Sequence, residues 1–271
     1  MAQSVRRTAG KARHNSLLVA LTRAGFVGYG LLHLAVGWLA LQIAFGHATQ
    51  EGSQSGAFRL LSQQPLGRPL LIVVAVGLLA MAVWQALEAA VGHHDETGRR
   101  RVAERVFSAA RTVVYAALAW TAFQVQAGAQ TSSAGQQEQA TSGVLAHPDG
   151  RVLVVLGAIV VIGVGIGLLV YGAKRMFVRR LMTGRMSHST RRLAIGLGRL
   201  GYMAKGVAFG IAGVLALAAA VKKDAARSTG LDGALHTLAG KPLGQLLLVA
   251  VAAGFAAFGV YCFFQSRYRR V

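Results

Sequence analysis

The chain predicts an all-α polytopic membrane protein, with six transmembrane helices arranged as three parallel two-helix repeats in a pseudo-threefold arrangement. Long apolar runs recur six times, at about 24–45, 70–91, 106–127, 152–173, 200–221 and 246–264, each close to the ~20 residues a bilayer requires. The composition is 54% hydrophobic and 14% charged over 271 residues, with apolar runs too long and too many for one soluble core. The third observation is repetition.

The repeat can be written out. Arg23-Ala24-Gly25-Phe26, with Gly30 and Gly37 beyond it, matches Arg199-Leu200-Gly201-Tyr202 with Gly206 and Gly213 at one constant offset. Arg105 opens a degenerate middle copy in which Trp120 falls opposite Trp38. Downstream, Pro65-Leu66-Gly67, Pro148-Asp149-Gly150 and Pro242-Leu243-Gly244 each precede a hydrophobic run. A proline in the first helical turn gives up no needed hydrogen bond, so each is expected to start a helix.

The elements follow in order: a basic segment 1–22, repeat 1 at 23–91, a linker 92–104, repeat 2 at 105–173, a basic linker 174–198, repeat 3 at 199–266 and a basic tail 267–271. The first span is longer than a signal-peptide core and lacks a clear cleavage site, so it is expected to be retained. The third carries Arg111, Gln124 and Gln126 and reads as a span only through the repeat register. Two helices per unit return the chain to the same side, which makes the repeats parallel, unlike the inverted repeats of many transporters.

Charge gives an orientation. The formal net charge is +20, and most Lys and Arg lie before the first span, in the second and fourth loops and after the last span. The positive-inside bias therefore places both termini in the cytoplasm. Anionic lipid headgroups on that side are the expected counter-charge, at about 1 kcal/mol per basic residue near the surface. Nucleic acid is not an expected partner, because the charges are scattered over juxtamembrane loops without interleaved aromatics or a recognisable reading module.

With these motifs the chain resembles the bacterial membrane family catalogued as domain of unknown function 1206, over residues 20–266. The resemblance implies a bacterial cytoplasmic (inner) membrane location, but it supplies no activity and no site residues. The middle copy departs from the pattern: Arg105-Val106-Phe107 lacks the glycine of Gly25 and Gly201, and this unit is the one expected to pack differently.

Small residues suggest where helices meet. Gly163 and Gly167 in the fourth span, and Gly206 and Gly210 in the fifth, form Gly-x-x-x-Gly steps expected to make internal contacts, with a homodimer face as the alternative. Phe26, Gly30, His33 and Gly37 share one face of the first span. His33, Glu88 and Lys205 form the candidate intramembrane polar site, because ionisable groups within spans are functional by default. Glu88 and Lys205 also lie close enough to the inner end to reach the interface. Arg23, Arg105 and Arg199 are repeat-equivalent at that interface.

Each outer loop carries a short helix-like piece, at 55–61, near 143–145 and at 231–238, expected to lie along the interface or to cap the bundle. His47, His147 and His236 come from three outer loops with Glu51, Asp149 and Asp232 nearby, but their spacing matches no metal motif, and no metal or other cofactor is expected. His93-His94-Asp95-Glu96 reads as a solvated turn, and Cys262 as a small apolar packing residue. Catalytic motifs are missing, so an enzyme is not expected. Two functional readings remain. The first is a non-catalytic membrane scaffold, partner subunit or lipid-interacting module, with membrane lipids, a membrane protein or a second copy as partner. The alternative is a small channel or transporter in which His33, Glu88 and Lys205 converge on one cavity.

Overall fold

The computed structural model describes residues 16–92 and 98–269. Most of the 1–22 segment and the His93-His94-Asp95-Glu96 turn lie outside the described residues. Among these residues there are nine α-helices: α1 (Ser16–Ala44), α2 (Gln54–Ser62), α3 (Gly67–Val91), α4 (Gly98–Gln126), α5 (Ser133–Leu145), α6 (Gly150–Ala173), α7 (His188–Lys222), α8 (Gly230–Ala239) and α9 (Gly244–Tyr268). The six long ones are each apolar and long enough to cross a membrane. They are the six spans the sequence predicts, and each repeat is a long helix, a short helix and a second long helix.

The long helices alternate in direction. The start of α1, the end of α3, the start of α4, the α6–α7 linker and the end of α9 therefore gather on one face, called here the terminal face, and α2, α5 and α8 lie on the opposite, capping face. The α5 helix runs thirteen residues, much longer than the piece near 143–145 that the sequence suggests. Its residues are mostly polar or small and none is buried, so it shows no apolar stripe. What starts it is the N-cap Ser132, whose side chain accepts a hydrogen bond from the Gly135 N–H at 2.8 Å. The α7 helix likewise begins well before its apolar run, where the Ser187 hydroxyl accepts from the Thr190 N–H at 3.2 Å.

The long helices pack in the order α4, α3, α1, α9, α7, α6. This is a pseudo-threefold ring in chain order with one edge left open, between the two long helices of the middle repeat. The cause is legible at aligned positions. Where α1 meets α3, a Cβ placed on Gly25 would lie 2.5 Å from the Gly77 carbonyl oxygen, and one on Gly77 would lie 2.6 Å from the Gly25 Cα. In repeat 3 the same registers hold Gly201, against Phe258, and Gly254, against Ala204. The middle copy places Phe107 and Val160 there, and both are exposed, at 57% and 65%. Close backbone approach needs small residues, and this pair forbids it.

Glycine also sets the entry to the second helix of every repeat. Pro65, Pro148 and Pro242 do not start the helices. Each lies two residues earlier, at the second position of a β-turn closed by Gly67 N–H to the Gln64 carbonyl (2.8 Å), Gly150 N–H to the His147 carbonyl (3.0 Å) and Gly244 N–H to the Lys241 carbonyl (2.7 Å). Proline suits that position because its φ is already set. The glycine is the first helical residue. A Cβ on Gly67 would collide with the carbonyls of Leu61 and Ser62, one on Gly150 with that of Val144, and one on Gly244 with those of Leu238 and Ala239. The third turn differs in form: Leu243 takes φ +60°, whereas Leu66 and Asp149 have φ of −108° and −93°.

In α6 the Gly-x-x-x-Gly step is turned outward, contrary to expectation. Gly163 and Gly167 have nothing within 4 Å of a Cβ, whereas Gly165 meets the backbone of Gly206 and Gly210, and Gly213 meets Ile162 and Ala158. The α6–α7 seam therefore uses Gly165 of the Gly163-Val164-Gly165-Ile166-Gly167 string.

Candidate functional site

The repeat register brings three residues to one level. Tyr29 in α1, Arg111 in α4 and Lys205 in α7 stand six residues beyond the equivalent arginines Arg23, Arg105 and Arg199, about 9 Å along a helix axis. One turn further, His33, Tyr115 and Phe209 correspond. The sequence notes Arg111 only as a defect in an apolar run; the register that aligns Trp120 with Trp38 already places it opposite Tyr29 and Lys205.

His33 and Lys205 come together and Glu88 does not. The Lys205 ammonium donates to the Tyr29 hydroxyl at 3.1 Å and lies 4.1 Å from the centre of the Phe258 ring, a cation–π contact. The His33 Nδ1–H donates to the Tyr29 carbonyl oxygen at 2.8 Å. Its ring packs at 4.3 Å from Tyr29 and 4.7 Å from Phe258. Both side chains are buried, with 9% and 6% exposure. Glu88 lies in the last turn of α3, eleven residues or roughly 16 Å beyond Gly77 towards the terminal face. Its carboxylate folds towards Gly92, whose carbonyl accepts a 3.5 Å hydrogen bond from Arg105.

A second group of polar side chains lies nearer the terminal face. Among the described residues a buried nitrogen of the Arg111 guanidinium and the Arg105 Nε find no hydrogen-bond partner. The Tyr261 hydroxyl is fully buried and also lacks a partner. Arg180 and Arg269 lie within electrostatic reach of both Arg111 and Tyr261. Arg180 pairs with Glu104 at 3.3 Å, a contact that ties the α6–α7 linker to α4 across the open edge of the ring. Met182 N–H donates to the Tyr268 carbonyl at 2.8 Å, fastening the same linker to the end of α9. Phe177, Leu181, Phe258, Tyr261 and Cys262 form a buried cluster there.

At the start of α7, Arg175, His188, Arg191, Arg192 and Arg199 line a cleft of about 350 Å³ with Ile195 and Gly196. Among the described residues no carboxylate lines it. Arg199 thus joins a basic cleft, while Arg23 is solvent-facing.

The capping face is stitched by polar contacts. Gly52 N–H donates to Asp232 at 2.7 Å, Ser133 N–H to the Ser55 hydroxyl at 2.9 Å, and the Thr141 hydroxyl to that of Ser228 at 2.9 Å. These link repeat 1 to 3, 1 to 2, and 2 to 3. Glu51 accepts from Ser53 at 3.0 Å and Ser55 at 3.2 Å and faces Arg59 at 3.6 Å. Burial alone would raise its carboxyl pKa, but hydrogen bonds from Ser132, Ser53 and Ser55, with the Arg59 charge, hold it below the ordinary value. His236 bonds to Asp232 within its own helix turn, and His47 and His147 are exposed. Among the described residues no three His, Cys, Asp or Glu side chains gather as a metal site.

Six apolar helices in three tandem two-helix units define a multi-pass membrane protein. The chain belongs to the family described as Domain of Unknown Function (DUF1206), which matches it three times, at residues 24–92, 107–175 and 200–269. It is similar to the "Uncharacterized protein YxxB" of Bacillus subtilis (strain 168), with 30% identity over 253 residues, covering 92% of this chain and 90% of the relative. No solved structure matches the chain significantly.

Proposed function

We propose that this protein is a non-catalytic membrane module that engages anionic phospholipids through its terminal face, held in the bacterial inner membrane with that face in the cytoplasm. The observation that carries this reading is the cleft at the start of α7. Four arginines and a histidine surround one space, and among the described residues no carboxylate lines it or is in an ion pair with any of the four arginines. Basic pockets beside spans at the headgroup level suit lipid phosphates, and the inner leaflet supplies them. The positive-inside bias agrees with the orientation. A channel or transporter is supported less well: His33 and Lys205 are packed among Tyr29 and Phe258, and Glu88 stands apart from them.

The test is native mass spectrometry of the protein released from nanodiscs holding equal phosphatidylglycerol and phosphatidylcholine. The expected result is selective retention of the anionic lipid, weakened at least tenfold by Arg191→Gln with Arg192→Gln. Equal retention of the two lipids would sink the reading. Solute flux in proteoliposomes above that of empty vesicles would favour the transporter instead.

A further inference from the structure

The cations near the terminal face outnumber the carboxylates paired with them among the described residues. The Leu181–Arg269 backbone bridge sets Arg180 beside Arg269, both lie within electrostatic reach of Arg111 and Tyr261, and Glu104, on Arg180, is their one carboxylate in an ion pair among the described residues. The Arg111 guanidinium nitrogen and the Tyr261 hydroxyl can both donate, and among the described residues neither finds a partner. A buried cation or hydroxyl without a partner is costly. An anion with several acceptor oxygens removes that cost at all these groups together.

The way in is lateral. Because α4 and α6 do not pack along one another, the ring is open at the level of these groups. The opening is bounded on the capping face by α5 and on the terminal face by the Arg180–Glu104 pair. Its flanking helices carry exposed apolar residues, among them Val113 and Val114 on α4 and Ile159 and Val160 on α6, so it gives onto acyl chains. Phe177, Leu181 and Tyr261 pack together towards the terminal end, whereas the side of the opening is apolar.

We propose that the opening between α4 and α6 admits one anionic phospholipid, whose phosphate is held by Arg111, Arg180, Arg269 and the Tyr261 hydroxyl. The depth agrees. Arg111 lies about 9 Å beyond the interfacial arginine level, and its side chain, leaning towards the helix N-terminus, covers part of that distance. The guanidinium groups suit phosphate because they present forked donors. Lys205 is not needed for the phosphate, since Tyr29 and Phe258 already receive its ammonium.

This inference rests on the lipid-binding reading but concerns a different place from the α7 cleft, and one experiment separates the two. Phosphatidylglycerol retention is measured from the same nanodiscs for the wild type, Arg111→Gln, Arg111→Lys, Tyr261→Phe and the Arg191→Gln, Arg192→Gln double variant. The expected pattern is two retained lipids in the wild type. One of them weakens at least tenfold in Arg111→Gln, several-fold in Tyr261→Phe, and is largely restored by Arg111→Lys; the cleft variant loses the other. Tyr261→Phe removes a single oxygen, so it gives a reading even if Arg111→Gln does not fold. Retention unchanged in both Arg111→Gln and Tyr261→Phe, with loss in the cleft variant, overturns this inference and leaves the proposed function standing. No anionic preference in the wild type overturns both. Displacement of the Arg111-dependent lipid by millimolar inorganic phosphate makes the occupant a free ion and overturns the lipid assignment.

Discussion

Tyr29 and Lys205 occupy the same register position in the first and third repeats, and the Lys205 ammonium donates to the Tyr29 hydroxyl at 3.1 Å. Repeat-equivalent residues thus meet across the pseudo-threefold ring, one a cation and the other its acceptor. The pair is buried and contains no carboxylate, so its stability follows from dipoles and ring faces. Tyr29→Phe is expected to cost about 1–3 kcal/mol by leaving the ammonium without its acceptor. Lys205→Met, which fills a similar volume without charge, is expected to be neutral or to stabilise by up to about 3 kcal/mol. Thermal unfolding midpoints in one detergent check both, and a loss in Lys205→Met equal to that in Tyr29→Phe would contradict the account.

The Pro-x-Gly turns give a second prediction. Gly67→Ala, Gly150→Ala and Gly244→Ala each push a Cβ into backbone carbonyls, and each is expected to destabilise by about 1–3 kcal/mol. Leu243 already stands at φ +60°, a conformation costing an L-residue about 1–2 kcal/mol. Leu243→Gly is therefore expected to raise the midpoint while Gly244→Ala lowers it. The two measurements on adjacent residues should have opposite signs.

Glu51 predicts a pH dependence. Its folded carboxyl pKa lies below the ordinary value of 4.5, so its contribution to stability is fully present above that value. It is lost as pH falls through the folded pKa. The midpoint of Glu51→Gln should lie below the wild type at about pH 7 and converge on it in acid. A gap that stays constant through the acid range would show that the carboxylate charge is not what stabilises the cap.

Restoring glycine to the middle repeat should close the ring. Phe107→Gly with Val160→Gly is expected to bring α4 against α6, shortening the distance between spin labels at Trp120 and Leu156. Cys262 is the single cysteine and is buried, so labelling at introduced cysteines is clean. If the distance does not change, the bulk at these two positions is not what holds the edge open.

Periodicity and repetition carried the architecture because a span announces itself by twenty apolar residues and a repeat by its registers. Phe107 in place of a glycine marked the middle copy as different, but which edge would open also needed Val160, visible only once the second helices are aligned. The α5 helix escaped because a polar helix on a capping face has no apolar stripe, and Ser132 is its one local signal. Gly163 and Gly167 misled because spacing alone does not say which way a glycine pair faces when Gly165 stands between them. For the site, Lys205 and His33 were legible as isolated ionisable residues in apolar runs. Arg180, Arg269 and Tyr261 were not, because a linker, a chain end and a helix must fold together before these groups come within electrostatic reach of one another.

The three cap bridges form an unbroken hoop on one face, whereas the spans beneath them leave a seam between α4 and α6. A barrel hooped at one rim and slit along its side spreads most easily at the far rim. There the slit is held by Arg180 and Glu104, each about a third exposed, and a pair so open to water is weak and loosened by salt. Ionic strength on the terminal side therefore acts on the clasp of the seam while leaving the hoop fastened, so α4 and α6 are expected to part first at that rim, as staves do in a cask with one band removed.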